Sequence, residues 1–229
     1  MSMFLGLREY ILLSLKEFPL IVSVGSLFLG LVEGNINLIM LSIGVLFVAT
    51  FWAAIIGKIL SFPLGWFDPN GWSWKIIASD VSPLLPETPT NGARGLVNVT
   101  PTYWLTMTLF FFTYLILNAV TLLTTPTASS KPSREDLEKE ENRKSQAIMC
   151  LVLICAIGLT TVIGKIFLSG GETVLGGIVA AIVAGGSAYG WFMFLRQCGL
   201  GRLEDVFGIQ SRILPGSATK DQPVVCVPN

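Results

Sequence analysis

Few side chains in this sequence could carry out chemistry, and their types exclude several kinds of site. The 229-residue chain has no histidine and four cysteines, Cys150, Cys155, Cys198 and Cys226, of which no two form a CxxC pair. Histidine metal sites, histidine-activated nucleophiles and histidine proton relays are therefore excluded. Cys150 and Cys155 lie in an apolar run and are interpreted as small core residues. A thiolate metal site would need distant cysteines to converge, so we expect no metal and no cofactor.

Ionisable residues close to apolar runs are the next candidates, because charge within a membrane often marks function. Only Glu33, Lys165 and Glu172 qualify, and we interpret Lys165 as a snorkelling lysine with Glu172 as its interfacial acid partner. Asn118 is the best candidate for a hydrogen bond between helices. The sequence has no paired carboxylates within an apolar run, no phosphate-binding glycine loop and no nucleophile elbow. It therefore predicts a protein that is not an enzyme, with no catalytic residues.

Four charge-free stretches, 34–57, 95–130, 145–164 and 173–195, determine the fold class. Each contains an apolar run long enough to cross a bilayer, which takes about 20 residues of helix. The chain is 52% hydrophobic and 13% charged, whereas soluble domains carry about 25% charge. These features predict an all-α polytopic membrane protein forming one domain over residues 1–229. The four predicted transmembrane helices are 38–60, 103–123, 147–168 and 172–195.

The N-terminal region, 1–33, leaves the number of spans open. Its first half resembles an amphipathic surface helix, and the charge-free run 18–32 has only 15 residues. Two alternatives follow: a fifth span, or half of a re-entrant hairpin. With four spans the Lys and Arg residues divide eleven to four between the two sides, and with five they divide nine to six. The stronger asymmetry favours four spans, with both termini on the cytosolic side.

Three polar segments separate or follow the spans. Residues 61–102 contain six of the twelve prolines and are predicted to fold along the membrane interface. Indole rings favour the headgroup zone, so four tryptophans in and beside this segment are predicted interfacial anchors: Trp66, Trp72, Trp74 and Trp104. Residues 124–146 are read as a linker and a charged helix that runs directly into the third span. Residues 196–229 form a polar tail.

Small residues recur at four-residue spacing in the last span. One series comprises Gly177, Ala181 and Gly185, and Gly186 with Gly190 adds a further pair. A second series, one residue out of phase, comprises Gly176, Ala180, Ala184 and Ala188. Small residues allow the backbones of membrane helices to approach closely. Two alternatives remain open: these faces pack within one subunit, or one of them forms an oligomer contact.

The tail alternates charged and apolar residues, which suits a docking segment. The predicted docking residues are Arg202, Asp205, Phe207 and Arg212. With Cys198-Gly199, Phe207-Gly208-Ile209 and Arg212-Ile213-Leu214-Pro215, this layout resembles the tails of multi-span inner-membrane or minor capsid proteins of large icosahedral DNA viruses. The resemblance covers about 20 residues and the general architecture. It implies a small membrane protein that connects a virion's inner membrane to the capsid shell.

These observations predict a structural integral membrane protein that anchors or bridges a larger assembly. The alternative is a small-molecule or ion transporter or channel subunit. Expected partners are membrane lipids, other membrane or capsid proteins, and further subunits in a homo- or hetero-oligomer. Nucleic acid is not an expected partner, because the formal net charge is zero. The expected location is multi-pass in a membrane, either a virion inner membrane or a host endomembrane.

Overall fold

The computed structural model describes residues 2–67, 75–77, 96–98, 100–124, 134–169 and 173–198. Most of them are helical, and the elements follow in this order: α1 (Ser2–Glu33), α2 (Ile36–Ile43), a π-helical segment (Gly44–Ala49), α3 (Thr50–Phe67), β1 (Lys75–Ile77), β2 (Leu96–Asn98), α4 (Tyr103–Thr124), α5 (Arg134–Gly164), a second π-helical segment (Lys165–Ser169) and α6 (Val174–Gln197).

Five helices in the described part of the chain are long and apolar enough to cross a membrane: Ser14–Glu33, Ile36–Leu64, Tyr103–Thr124, Lys144–Phe167 and Val174–Gln197. The second of them combines α2, the first π-helical segment and α3. The predicted helical fold is confirmed at this level. One exception is a short antiparallel pairing of β1 with β2, in which Lys75 faces Asn98 and Ile77 faces Leu96.

Helix α1 differs from the expectation of four spans. Its Ser14–Glu33 part has the length and apolar character of a span. Near one end, the Leu15 carbonyl accepts a hydrogen bond from Trp104, at the start of α4. At the other end, Gly34 has a φ of +64° and turns the chain into α2. Because α1 reaches from the start of α4 to this turn without folding back, the arrangement favours the five-span alternative over the four spans that charge placement favoured.

Helix α4 is the central element of the bundle. Of its apolar window, 61% is buried, compared with 22% for α5. Aromatic residues attach the other helices to it: Tyr114 packs edge-on against Phe192 of α6, and Phe112 stacks on Phe18 of α1. The core around α4 includes Leu41, Val45, Met107, Phe110, Leu115, Ile154, Ala184 and Ala188.

Helix α5 is one continuous helix from a charged beginning to an apolar end, as predicted. It starts at Arg134 and continues to Gly164, while its apolar window begins at Lys144. The ten residues before that window extend the helix by about 15 Å at 1.5 Å per residue. A charged helical extension is therefore continuous with a helix that is long and apolar enough to span a membrane.

Candidate functional site

The small residues of α6 divide into a packed face and an open face. Ala180, Ala184 and Ala188 are completely buried, and they pack into the two apolar clusters around α4. The series of Gly177, Ala181 and Gly185 is rotated from these alanines by about 100° on the helix. Of its members Gly177 lies nearest α4, since a Cβ there would lie 3.6 Å from Leu105. Packing within this chain therefore uses mainly the second of the two predicted series.

The other predicted packing residues lie open among the described helices. Ala181, Gly186 and Gly190 are exposed. A Cβ atom added to Gly185, Gly186 or Gly190 would have no atom of another residue within 4 Å beyond its immediate surroundings on the helix. Among the described residues, these three glycines therefore do not pack closely against another helix of the subunit, and the oligomer alternative stays a prediction.

An apolar groove of about 1160 Å³ lies beside these glycines, between α6 and the helix made of α2, the first π-helical segment and α3. Its aromatic lining includes Phe47, Phe51, Trp52, Tyr103, Trp191 and Phe194, and its α6 side includes Ile182, Gly186, Ser187 and Gly190. The hydroxyl groups of Thr50 and Ser187 donate to carbonyl oxygens of their own helices. The groove therefore presents a largely apolar surface on which the Thr50 and Ser187 hydroxyls are already engaged.

A tryptophan hydrogen bond fixes α1 to α4 at a proline. Pro19 has no N–H, so it cannot supply the helical hydrogen bond that the Leu15 carbonyl four residues earlier would accept. The Trp104 indole Nε1 donates to this carbonyl at 2.9 Å instead. Trp104 is only 2% exposed, so its predicted role as an interfacial anchor is wrong: the ring packs inside the bundle.

A second tryptophan makes a similar contact at the first π-helical segment. Trp191 Nε1 donates to the Met40 carbonyl at 3.1 Å. A Cβ added to Gly44 would lie 2.8 Å from the Trp191 ring and 2.9 Å from Phe110. Only glycine fits at this position without a shift of its neighbours. Sequence reasoning did not single out Trp191, Gly44 or Pro19, although a proline within an apolar run signals a carbonyl in need of another donor.

Hydroxyl groups connect α1 and α2 near the turn at Gly34. Ser26 and Ser42 share a hydrogen bond of 2.7 Å, and the Ser42 hydroxyl also donates to the Ser23 carbonyl at 2.8 Å. Ser23 in turn donates to the Pro19 carbonyl. All three serines are buried. Hydrogen bonds of this kind hold membrane helices together where apolar contact alone gives little preference over lipid.

Lys165 does not snorkel as predicted. It is 2% exposed, and its Nζ lies 5.7 Å from the centre of the Trp104 ring. A cation over an indole face gains favourable electrostatic energy, more so where water is excluded. Lys165 is the first residue of the second π-helical segment. The partner predicted for it, Glu172, lies outside the described residues.

Asn118 does not form the predicted interhelical hydrogen bond. Its side chain is completely buried in α4, and neither the amide nitrogen nor the amide oxygen has a hydrogen-bond partner. The Thr108 hydroxyl, on the same helix, is also buried without a partner. A buried amide without a partner is costly in an apolar environment. Asn118 is therefore a weak point of the core in this arrangement.

Other predicted site residues are exposed or lie outside the described part of the chain. Trp66 is 81% exposed at the end of α3, which suits an interfacial anchor. The remaining anchors, Trp72 and Trp74, and the docking residues Arg202, Asp205, Phe207 and Arg212 lie outside the described residues. Within the described residues, no three Cys, Asp or Glu side chains form a group that could hold a metal ion.

Comparison of the chain with family models, curated proteins and solved structures finds no match.

Proposed function

We propose that this protein is a structural membrane protein that anchors a larger assembly through its charged helix and its tail. The observation that carries the proposal is the continuity of α5 from Arg134 to Gly164. Because helix and span are one rigid element, a protein bound to residues 134–143 would be fixed relative to the membrane. Glu141 and Asn142 in this extension are exposed and available for contact.

The geometry of the spans supports an anchor more than a transporter. Several hydroxyl groups in the spans donate to carbonyls three or four residues earlier on their own helices, including those of Thr121, Thr160, Thr161 and Ser187. Hydroxyls engaged in this way are poorly placed to replace the hydration shell of a solute. A transporter usually places polar ligands near the midplane on broken helices. The transporter or channel remains the second proposal, with Asn118 and Lys165 as its candidate residues.

A more specific proposal is that the assembly is a viral capsid and that the membrane is the inner membrane of a virion. Its support is the resemblance of the tail and of the multi-span architecture to membrane proteins of large icosahedral DNA viruses. In the five-span arrangement, the end of α6, from which the tail continues, and the charged beginning of α5 lie at the same end of the bundle. Counted along the sequence, the segments assigned to this side of a five-span topology contain nine of the fifteen Lys and Arg residues, which favours the cytosolic side.

Site-specific photo-crosslinking in native membranes or particles tests the anchor proposal. A photoreactive residue at Glu141, which is exposed on the charged part of α5, is expected to give adducts with a specific protein. A matched control at Ile157, exposed on the apolar part of the same helix, is expected to give lipid adducts. For the capsid proposal, deletion of residues 199–229 is expected to abolish copurification of a coat protein.

Two results would contradict the anchor proposal. One is the absence of any protein adduct at Glu141. The other is selective solute flux by the reconstituted protein that Asn118→Leu or Lys165→Met abolishes while helical content is unchanged. The second result would favour the transporter.

A further inference from the structure

We propose that the groove between α3 and α6 binds the acyl chain of a phospholipid as a defined site. Its lining residues lie within the candidate spans Ile36–Leu64 and Val174–Gln197, with Tyr103 at the start of a third. The groove therefore opens at the depth of the hydrocarbon core. This inference concerns a different surface from the docking elements and does not depend on the proposed function.

The length of the groove matches that of a lipid chain in one leaflet. Along α6 its lining runs from Ile182 to Phe194, which is about 18 Å at 1.5 Å per residue. One leaflet of the hydrocarbon core is about 15 Å thick. The groove is therefore long enough for the part of an acyl chain that crosses one leaflet.

The position of the glycines argues against a second copy of the chain in the groove. Close helix pairs need small residues at the point where two backbones meet. Gly186 and Gly190 line the groove beside large aromatic side chains, and Phe51 and Phe194 are 61% and 53% exposed. These rings would hold a partner backbone away from the glycines. A flexible chain without side chains can pass between the rings and lie against the glycines.

The chemistry of the lining also fits a hydrocarbon. The Ser187 hydroxyl donates to the Val183 carbonyl at 2.6 Å and Thr50 donates to carbonyls of its own helix. The occupant is therefore not required to supply an acceptor for either hydroxyl. A largely apolar lining whose Thr50 and Ser187 hydroxyls are engaged matches an occupant that has no hydrogen-bonding groups of its own.

The test uses phosphatidylcholine with a photoreactive group on its acyl chain, incorporated into vesicles with the full-length protein. We expect labelling of residues 47–56 and 182–194 to exceed severalfold the labelling of α5 near Val152 and Leu153. Those α5 residues are 62% and 58% exposed and do not belong to the lining of this groove, so they report ordinary lipid contact. This comparison within one protein does not depend on any variant folding.

Substitutions then show whether the shape of the groove is responsible. Gly186→Leu with Gly190→Leu should fill the groove and reduce its labelling to the α5 level. Gly185→Leu, next to Gly186 but outside the groove lining, should leave the labelling unchanged. Equal labelling of the groove and α5 in the unaltered protein would overturn the proposal. So would protection of the groove from lipid together with crosslinks from Phe51 to a second copy, because the occupant would then be protein.

Discussion

Replacing Trp104 with phenylalanine tests whether the indole hydrogen bond at Pro19 stabilises the bundle. The substitution keeps an aromatic ring in the core but removes the donor that lies 2.9 Å from the Leu15 carbonyl. That carbonyl then has neither its helical donor, which Pro19 lacks, nor the indole. Interhelical hydrogen bonds in membrane proteins contribute about 0.6 kcal/mol on average and up to about 1.7 kcal/mol. Leaving a buried acceptor unsatisfied adds to the loss, so we expect destabilisation of about 1–2 kcal/mol.

A second substitution isolates the hydrogen bond from the change in packing. Pro19→Ala provides an N–H that can bond to the Leu15 carbonyl within α1. In the Pro19→Ala background, Trp104→Phe should therefore cost less, with a coupling energy of about 0.5–1 kcal/mol between the two sites. Reversible unfolding in mixed detergent micelles, followed by far-UV circular dichroism, gives the four free energies of unfolding that the cycle requires.

Trp191→Phe is a matched control for the same chemical change. The Met40 carbonyl that Trp191 bonds also accepts the Gly44 N–H, so it keeps a partner when the indole is removed. We expect a smaller loss of stability than for Trp104→Phe. A coupling energy near zero between positions 19 and 104 would refute the reasoning, since it would show that the Leu15 carbonyl does not depend on the indole.

The remaining predictions concern the core, and the same unfolding measurement checks each of them. Asn118→Leu should leave stability unchanged or raise it by about 1–3 kcal/mol, because the buried amide has no partner; a clear loss would show that the amide is hydrogen-bonded in the membrane. Ala184→Leu should destabilise the bundle by about 1–3 kcal/mol or more through overpacking. Gly185→Leu, in contrast, should change stability by less than about 0.5 kcal/mol. Gly44→Ala should cost about 1–3 kcal/mol because its Cβ would lie 2.8 Å from Trp191.

Counting Lys and Arg residues did not identify the number of spans that the structure favours. The Lys and Arg distribution favoured four spans by a margin that rested on Arg8 and Lys16 alone. In the structure, α1 is held along its length by contacts that the sequence pattern does not display, namely Trp104 with Leu15, Phe18 with Phe112, and Ser26 with Ser42. Such contacts depend on which faces of two helices meet, and hydropathy does not contain this information.

The candidate sites also depend on contacts between helices that the sequence pattern does not display. Small residues at four-residue spacing marked α6 as a packing helix, but two series one residue apart were present, and the sequence could not rank them. Ala184 became the packed residue because α4 lies on its side of α6, and Gly186 became part of an open groove because none of the described helices covers it. Trp104 was assigned to the interface from its position near the end of a span. In the structure it is buried and donates to the Leu15 carbonyl, which Pro19 leaves without a helical donor.

The sequence by itself determined the helical class, the approximate bounds of four spans, and the continuity of the charged segment with α5. These depend on hydrophobicity and local helix formation, which each stretch of chain carries within itself. Only the tertiary structure decided that α1 extends along the bundle, that Lys165 and Trp104 are buried together, and that a groove lies between α3 and α6. These depend on the relative rotation and position of helices distant in sequence, which are set by side-chain packing and by the few hydrogen bonds between helices.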